Sequence, residues 1–368
     1  MKNTVPSIYI HIPFCDSICS YCDFPKLLSR TNYQDAYLER LILELKKVPQ
    51  REFFTAYIGG GTPSSLSLSQ LDLLLAFIAR NFHVKEEFTF EANPENLTEE
   101  KIKLLSKYGV NRVSLGVQSF KETSLKILNR KHTKKDVIAC ISLLHKYGIN
   151  NINLDFIFGL KEENQRDYLE NITLASELGV KHISYYSLQI EPGTVLFKKP
   201  ELRKEADVMA DDYEEIVKKL ADRGYKRYEV SNFSLPDCQS KHNLTYWRNR
   251  SYYGIGLGAT GLVNHRRIVQ TRNILKYIYG KDTVSSTTYE DEQETEFNYL
   301  MLNLRLEQGF EREEYHRLFK KDFLLEYQSE IQELKEELII TSTRVRVRPE
   351  KMYILDSILV DLLHFKEN

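Results

Sequence analysis

The chain has 368 residues, of which 51 are basic and 52 acidic, giving a formal net charge of −1 at pH 7. This length can bury a large core and predicts one large domain with a smaller one. The balanced charge gives no basic field for nucleic acid, and no apolar run approaches the length of a membrane span. Residues 1–6 lack the apolar segment of a signal peptide, and reduced thiols are expected, so a cytoplasmic location is predicted.

From residue 7 to about residue 234, short apolar runs alternate with amphipathic helical patterns. Strands are predicted at 7–14, 55–59, 88–91, 112–117, 151–158 and 182–189. Each run is nearly continuous in apolar residues, as expected for strands covered on both faces. Helices are predicted at 37–48, 71–82, 99–108, 134–147 and 167–178, several closed by a glycine. Six strand–helix units are too few for a closed eight-stranded barrel, so we predict an open, partial (β/α)6 barrel with a parallel sheet.

A helix at 207–223 and a strand at 227–233 end this region, after which the pattern changes. We therefore predict three parts: the barrel at 1–234, a glycine-rich connecting segment at 235–288, and a helical domain of winged-helix character at 289–368. In the last part, helices are predicted at 290–306, 312–319, 324–334 and 355–364, with a hairpin at 338–348. Arginines alternate along this hairpin at 344, 346 and 348. A solvated hairpin is favoured over a nucleic-acid contact because no aromatic platform accompanies the charges.

Three cysteines, Cys15, Cys19 and Cys22, lie in one short loop after the first predicted strand. Closely spaced thiolates suit a soft metal centre, and three thiolates on a cubane cluster leave one iron open for an exchangeable ligand. A disulfide or unrelated core positions are disfavoured because the chain has five cysteines, an odd number. Zinc is the stronger alternative, although no fourth ligand follows at finger-like spacing. The remaining two, Cys140 and Cys238, are predicted to have no special role.

Other candidate groups lie at the ends of later strands, where reactive groups of barrel proteins belong. The second strand is followed by Gly-Gly-Gly-Thr-Pro at 59–63, whose backbone can approach a ligand closely. The third and fourth strands end near Glu91 and Gln118, and the fifth carries Asp155 among apolar residues. An aspartate in such surroundings is costly unless it is paired or liganded, and Arg130 could contact a carboxylate through two nitrogens.

The spacing CxxxCxxC after a strand, with Tyr9 before it and Tyr21 inside it, resembles the radical S-adenosylmethionine (SAM) superfamily. The flanking residues narrow the resemblance to the HemN/HemW branch, which contains oxygen-independent coproporphyrinogen III oxidases and haem chaperones. The resemblance spans nearly the whole chain and implies a [4Fe-4S] cluster on the three cysteines, with SAM on the open iron. Matched position by position, it implies SAM-site roles for Tyr9, Tyr21, Gly60, Gly61, Thr62, Glu91, Gln118, Arg130 and Asp155.

Two features favour the chaperone members over the oxidases. The fourth cysteine of the oxidase motif is replaced by Phe24, and the oxidases carry an extension where this sequence has only eight residues before Tyr9. In addition, residues 241–247, Lys-His-Asn-Leu-Thr-Tyr-Trp, resemble the HNxxYW motif of the chaperones. This implies haem contacts for His242, Tyr246 and Trp247, with His242 either an axial ligand or a structural residue.

The resemblance therefore implies three cofactors: a [4Fe-4S] cluster, SAM and haem. The expected function is a haem chaperone, with a haem donor and a haem-acceptor protein as partners. A respiratory protein is one candidate acceptor, no nucleic acid is expected, and transient membrane association is left open. The alternative is a coproporphyrinogen III oxidase, so whether the protein is an enzyme stays open at this point.

Overall fold

The computed structural model describes residues 5–29 and 32–363. Its first part contains β1 (Ser7–Ile12), β2 (Phe14–Cys15), β3 (Leu27–Leu28), α1 (Gln34–Lys47), β4 (Glu52–Gly60), α2 (Leu68–Asn81), β5 (His83–Ala92), α3 (Glu99–Lys107), β6 (Arg112–Gln118), α4 (Glu122–Ile127), α5 (Lys134–Lys146), β7 (Asn151–Phe158), α6 (Gln165–Glu177), β8 (His182–Ser187), α7 (Ala206–Asp222), β9 (Lys226–Arg227) and β10 (Asn232–Ser234).

The second part contains α8 (Lys241–Trp247), β11 (Tyr252–Ile255), β12 (Thr260–Val263), β13 (Arg266–Gln270), α9 (Ile274–Ile278), β14 (Val284–Tyr289), α10 (Glu292–Asn303), β15 (Phe310–Glu311), α11 (Arg312–Phe319), α12 (Phe323–Glu326), α13 (Gln328–Glu333), β16 (Leu338–Ile340), β17 (Arg344–Val347) and α14 (Leu355–Leu363). The predicted last helix extended to residue 364, which lies outside the described residues.

The main sheet has twelve strands in the order β14-β13-β12-β11-β1-β4-β5-β6-β7-β8-β10-β9. Its centre consists of the six predicted strands, all parallel, which confirms the predicted partial (β/α)6 barrel. The predicted helix-closing glycines Gly109, Gly148 and Gly179 all have positive φ, as a left-handed helix end requires. Because all six strands run the same way, the loops that follow them gather at one end of the sheet, where the cysteine loop lies.

The six central strands were predicted to be apolar on both faces. In the structure they alternate apolar and polar residues, so that one face is apolar and the other is polar. The apolar positions join the main hydrophobic core under the helices. The polar positions share the opposite, concave face: Ser7, Tyr9 and His11; Thr55 and Tyr57; Glu87, Thr89 and Glu91; Arg112 and Ser114; Asn153 and Asp155; His182 and Ser184. Successive strand residues point to opposite faces, so this alternation gives the barrel a polar interior.

Two further features differ from the sequence-based expectation. The single strand predicted at 227–233 is two short strands, β9 and β10, because the chain turns back between Tyr228 and Asn232, whose backbone groups hydrogen-bond at 3.1 Å. The connecting segment predicted at 235–288 contributes β11 to β14 to the main sheet, with β11 parallel to β1. The proposed division into three parts stays a prediction.

The C-terminal region has its own hydrophobic core, formed by residues between Tyr299 and Leu362. Its helices surround a three-stranded sheet in the order β15-β17-β16, and β16 and β17 form the predicted hairpin. Within the described part of the chain, no helix combines the length and apolar character needed to span a bilayer.

Candidate cluster and cofactor site

The three cysteines of the loop after β1 lie side by side with distinct neighbours. Cys15 ends β2 and is buried, whereas Cys19 and Cys22 are half-buried, and none of the three is in a disulfide. The Thr62 hydroxyl lies 3.5 Å from Cys15 Sγ, and the Arg130 guanidinium lies 3.3 Å from Cys19 Sγ. Burial raises the pKa of the Cys15 thiol to about 11 and also raises the pKa of Cys22.

These surroundings fit the cluster that the cysteine spacing predicts. A hydroxyl and a guanidinium that donate to sulfur stabilise thiolates, which are the ligand form. No three His, Cys, Asp or Glu side chains among the described residues converge on a point that one ion could fill. A cubane differs from a single-ion site because each thiolate binds a different iron. Because burial raises the pKa of the Cys15 and Cys22 thiols, metal binding at these two residues must displace their protons near neutral pH.

The glycine loop after β4 lies directly on the cysteine segment. The N–H groups of Gly61 and Thr62 donate to the carbonyls of Ile12 and Phe14, both at 2.8 Å. Gly60 has φ +115°, and a Cβ there would overlap the His11 ring. A Cβ on Gly61 would lie 2.7 Å from the Pro13 carbonyl carbon. Only glycine permits this approach, which holds the Thr62 hydroxyl against Cys15.

Glu91, at the end of β5, is fixed from one side. The Tyr57 hydroxyl donates to Oε1 at 2.6 Å, and the Gly60 N–H donates to Oε2 at 2.9 Å. Burial raises the pKa of this carboxyl to about 7, partly opposed by these two donors. A Cβ on Gly59 would lie 2.7 Å from the Glu91 carboxyl carbon, so the glycine loop also makes room for the carboxylate. Glu91 is therefore an oriented carboxylate that changes charge near neutral pH.

Gln118, Arg130 and Asn93 converge around the backbone of Gly116. A Cβ on Gly116 would lie 3.0 to 3.1 Å from polar atoms of all three side chains. The Arg130 guanidinium donates to Asn93 Oδ1 at 2.7 Å and to the Gly116 carbonyl. Among the described residues these acceptors are an amide and a carbonyl, and the contact with a carboxylate suggested for Arg130 stays a prediction. Sequence reasoning missed Asn93, although its position two residues after Glu91 puts it in the same loop cluster.

Asp155 and Tyr21 complete the predicted SAM set. The Asp155 carboxylate accepts hydrogen bonds from Ser114 and Asn153, both at 2.9 Å, and burial raises its pKa. This aspartate was expected to be paired or liganded, and in the structure its partners are two neutral donors inside the barrel. Tyr21 packs on a small apolar cluster that includes Leu128 and lies beside Cys19; burial raises the pKa of its phenol.

Tyr9 faces a cavity of about 320 Å³ next to the cysteine loop, here called the aromatic cavity. Burial lowers the pKa of His11 to about 4, so its ring is neutral; Nε2 donates to the Pro25 carbonyl at 3.0 Å and Nδ1 accepts from the Tyr9 hydroxyl at 2.9 Å. The cavity is lined by Tyr9, His11, Phe24, Pro25, Tyr246, Tyr252, Gly258, Ala259, Thr260 and Arg272. It therefore joins a predicted SAM residue, Tyr9, to a predicted haem residue, Tyr246.

His242 of α8 is fully buried, with both ring nitrogens hydrogen-bonded. Its Nδ1 lies 2.7 Å from the Thr55 hydroxyl, which itself donates to Ser7, so Nδ1 carries the proton. Its Nε2 lies 2.7 Å from the Tyr246 hydroxyl and accepts the hydrogen bond that this hydroxyl donates. Burial lowers the pKa of His242 to about 3, so the ring is neutral. Ligation of an iron would require breaking one of these bonds, and the ligand role predicted for His242 stays a prediction.

The three residues of the predicted haem motif do not share one cavity. Tyr246 faces the aromatic cavity, whereas Trp247 packs on a separate cluster formed by Tyr228, Leu244 and Leu306. The position of α8 is set by Glu87, a residue that sequence reasoning missed. Its buried carboxylate accepts from the N–H groups of Lys241 and His242 at 2.9 and 3.1 Å, as suits a helix N-terminus.

The chain is similar in sequence to known proteins. A model of the radical SAM superfamily matches residues 9–175. The chain is 39% identical over 350 residues to the heme chaperone HemW of Lactococcus lactis, covering 93% of this chain and 92% of that protein. It is 36% identical over 365 residues to the heme chaperone HemW of Bacillus subtilis, covering 93% and 94%.

The three-dimensional structure is similar to that of coproporphyrinogen III oxidase (HemN) from Escherichia coli. The TM-score is 0.85 over 97% of this chain and 90% of that chain. The identity is 18%, so this likeness shows the fold alone. Because the identity to the HemW proteins exceeds 30% over nearly their full length, the chain belongs to the HemW family within the radical SAM superfamily.

Proposed function

We propose that this protein is a haem chaperone, which binds haem and passes it to an acceptor protein. The observation that carries the proposal is its identity to proteins named heme chaperone over more than nine tenths of both chains. The replacement of the oxidases' fourth cysteine by Phe24 adds support, since that side chain is 65% exposed and cannot bind iron.

In this proposal, Cys15, Cys19 and Cys22 hold a [4Fe-4S] cluster. When bound, the cluster supplies one iron without a cysteine, which SAM can occupy. Thr62 and Arg130 donate to the sulfurs of Cys15 and Cys19, stabilising the thiolate ligands.

Glu91 is the residue of the concave face best suited to orient SAM. Its carboxylate is held by Tyr57 and Gly60, and it keeps lone pairs that can accept from an ammonium or a ribose hydroxyl. Arg130 and Gln118, which meet at Gly116, and the paired carboxylate of Asp155 extend this polar surface across the sheet. We infer that SAM binds along these strand ends, with Gly60 and Gly61 holding their loop against the cysteine segment.

A haem donor and an acceptor protein are part of the same proposal. An amphipathic ligand such as haem needs apolar surface, which side chains in and beside α8 such as Leu244 and Phe54 provide. The proposed acceptor is a protein that requires haem and receives it from this chaperone.

The test is a haem titration followed by a transfer assay under anaerobic conditions. The protein, reconstituted with iron and sulfide, is titrated with haem with and without SAM, and the loaded protein is mixed with apomyoglobin as a generic acceptor. We expect saturable haem binding and transfer faster than from free haem in the same buffer. Absence of saturable binding would contradict the proposal. The alternative is checked by supplying coproporphyrinogen III, SAM and reductant: accumulation of protoporphyrinogen would assign the protein to the oxidases.

A further inference from the structure

Two cavities meet at the C-terminal end of α8, directly after the HNxxYW segment. One has a volume of about 470 Å³ and is lined by residues of the C-terminal region, including Phe310, the arginines Arg317 and Arg344, and the glutamates Glu311, Glu313 and Glu314. The other has a volume of about 390 Å³ and is lined by Phe54 and Leu244, among others. Both cavities share two residues, Arg248 and Arg250. We call the pair of cavities the arginine cleft.

The arginines of the cleft differ in their partners. Arg317 pairs with Glu314 at 3.3 Å, and Arg344 pairs with Glu311. Within residues 5–29 and 32–363, neither Arg248 nor Arg250 forms an ion pair or a side-chain hydrogen bond. The cleft thus contains two guanidinium groups whose five donors each are open to a ligand.

The surroundings of Arg248 make this lack of partners unfavourable. Its side chain is half-buried, and burial together with the neighbouring Arg250 lowers its pKa. Arg248 directly follows the last residue of α8, so the negative end of the helix dipole offsets part of its charge. Glu311 and Glu314 of the same cavity offset a further part of the charge, but they form their ion pairs with Arg344 and Arg317. Arg248 and Arg250 are therefore left as cations without an ion pair among the described residues, and an anion could pair with both.

The shape of the cleft indicates the class of anion. Guanidinium groups match carboxylates through two parallel hydrogen bonds. Phe54 and Leu244 provide apolar surface beside the two cations. A ligand that carries two carboxylates on one edge and an apolar body on the other fits such a wall better than a small hydrated anion does. Haem has this construction, since its two propionates extend from one edge of the macrocycle.

We infer that Arg248 and Arg250 bind the two haem propionates, so that haem enters the arginine cleft with its macrocycle toward Phe54 and Leu244. This inference rests on the proposed haem-chaperone function. The site lies near the start of β4, whereas the cysteine loop lies beyond the opposite end of the parallel strands. Haem therefore binds apart from the iron–sulfur centre, with α8 between the cleft and the aromatic cavity.

The test compares haem with haem dimethyl ester, in which both propionate charges are removed. Each ligand is titrated into the wild-type protein and into the double variant Arg248→Gln/Arg250→Gln, with circular dichroism as the fold check. We expect the wild type to bind haem about tenfold more tightly than the ester, and the double variant to bind both at the level of the ester. Neither arginine has a protein partner to lose, so the double variant should fold normally.

Two single variants serve as controls. Arg317 lines the same cleft but is already paired with Glu314. We expect the variant Arg317→Gln to prefer haem over the ester as strongly as the wild type does. Arg272→Gln lies in the aromatic cavity and should likewise leave the preference unchanged. The inference is overturned if the double variant still binds haem about tenfold more tightly than the ester. It is also overturned if Arg272→Gln loses this preference while the double variant keeps it. Failure of the wild type to bind haem at all would contradict the proposed function itself.

Discussion

The cysteine loop and helix α8 both carry sequence motifs, but the structure uses them differently. In the loop, Thr62 and Arg130 donate to the sulfurs of Cys15 and Cys19, and two of the three thiols are half-buried. In α8, His242 is fully buried and both of its nitrogens are bonded to protein groups. A side chain that binds a ligand needs a polar atom that is free to contact it, whereas the polar atoms of a structural side chain are hydrogen-bonded within the protein. The two motifs therefore differ in how much hydrogen-bonding capacity their side chains have left for a ligand.

The largest expected effect is on the cysteine side of this comparison. Replacing Cys15, Cys19 or Cys22 by alanine leaves two thiolates, which cannot hold a cubane, so each variant should lose the cluster completely. The reconstituted wild type should hold about four irons per chain. Iron and sulfide analysis together with the cluster absorbance measure this. Cys140→Ala and Cys238→Ala should keep a full cluster, and a full cluster in Cys22→Ala would refute the assignment.

A second large effect is expected at the glycine loop. Gly60→Ala forces a Cβ into the His11 ring at a positive φ, so we expect a loss of about 3 kcal/mol in the free energy of unfolding, with weaker SAM binding. Urea denaturation and SAM titration measure the two effects. Gly109→Ala is the matched control, because Gly109 also has positive φ but no atom within 4 Å of the added carbon. It should cost about 1 kcal/mol and leave SAM binding intact.

Replacing His242 in helix α8 should lower the stability of the protein and leave its haem ligation unchanged. His242→Ala leaves a cavity and removes the donor to the Thr55 hydroxyl and the acceptor of the Tyr246 hydroxyl, so we expect a loss of about 3 kcal/mol in unfolding free energy and an unchanged haem Soret band in the folded fraction. Denaturant titration and absorbance spectroscopy test this.

His182 provides the matched control for that experiment. It is also fully buried, with ring nitrogens bonded to Asn153 and Tyr228 at 2.6 and 2.8 Å, but it lies outside the motif. His182→Ala should cost a similar amount of stability. A Soret shift in His242→Ala that is absent in His182→Ala would show that His242 ligates haem after all.

The smallest effect concerns Glu91, whose pKa is raised to about 7 by burial. Its carboxylate gains charge as the pH rises through that value and then accepts hydrogen bonds from SAM more strongly. SAM affinity of the reconstituted protein should therefore increase by at most about tenfold between about pH 6 and about pH 8. Calorimetric titration over this range should show a flat profile for Glu91→Gln.

Glu163 is the control, since burial also raises its pKa to about 7 but it bonds to Ser119 and Ser124 and does not belong to the predicted SAM set. Glu163→Gln should keep the pH dependence of SAM binding. Both groups have a folded pKa above the unfolded value, so the folded state binds more protons and stability falls as pH rises toward neutral. Each glutamine variant should flatten part of that decline.

Local features of the fold were readable from the sequence. The six parallel strands, the helices between them and the glycines that end those helices follow from residues within a few positions of each other. The alternation of the strands was missed because serine, threonine and asparagine were counted within apolar runs. Reading Glu87, Thr89 and Glu91 as one face would have revealed the polar interior.

Long-range features were not readable in the same way. His242 meets Thr55 and Glu87, which come from strands far earlier in the chain, so the sequence near the motif contains no sign of its burial. Asn93 has no chemical signature of its own and gains importance only when Arg130 reaches it. The cysteine spacing was informative because its chemistry is local, whereas the environment of α8 depends on tertiary contacts.

The pairing of β11 with β1 has a consequence for biosynthesis. The cysteine loop follows β1, which lies between β4 and β11, and the partner of Ser7 is Tyr252. During translation β1 therefore remains an edge strand until more than two thirds of the chain has left the ribosome, and parallel pairing over such a separation is slow. We expect iron–sulfur loading to follow chain completion, so that ribosome-bound chains ending before β11 acquire little cluster compared with released chains.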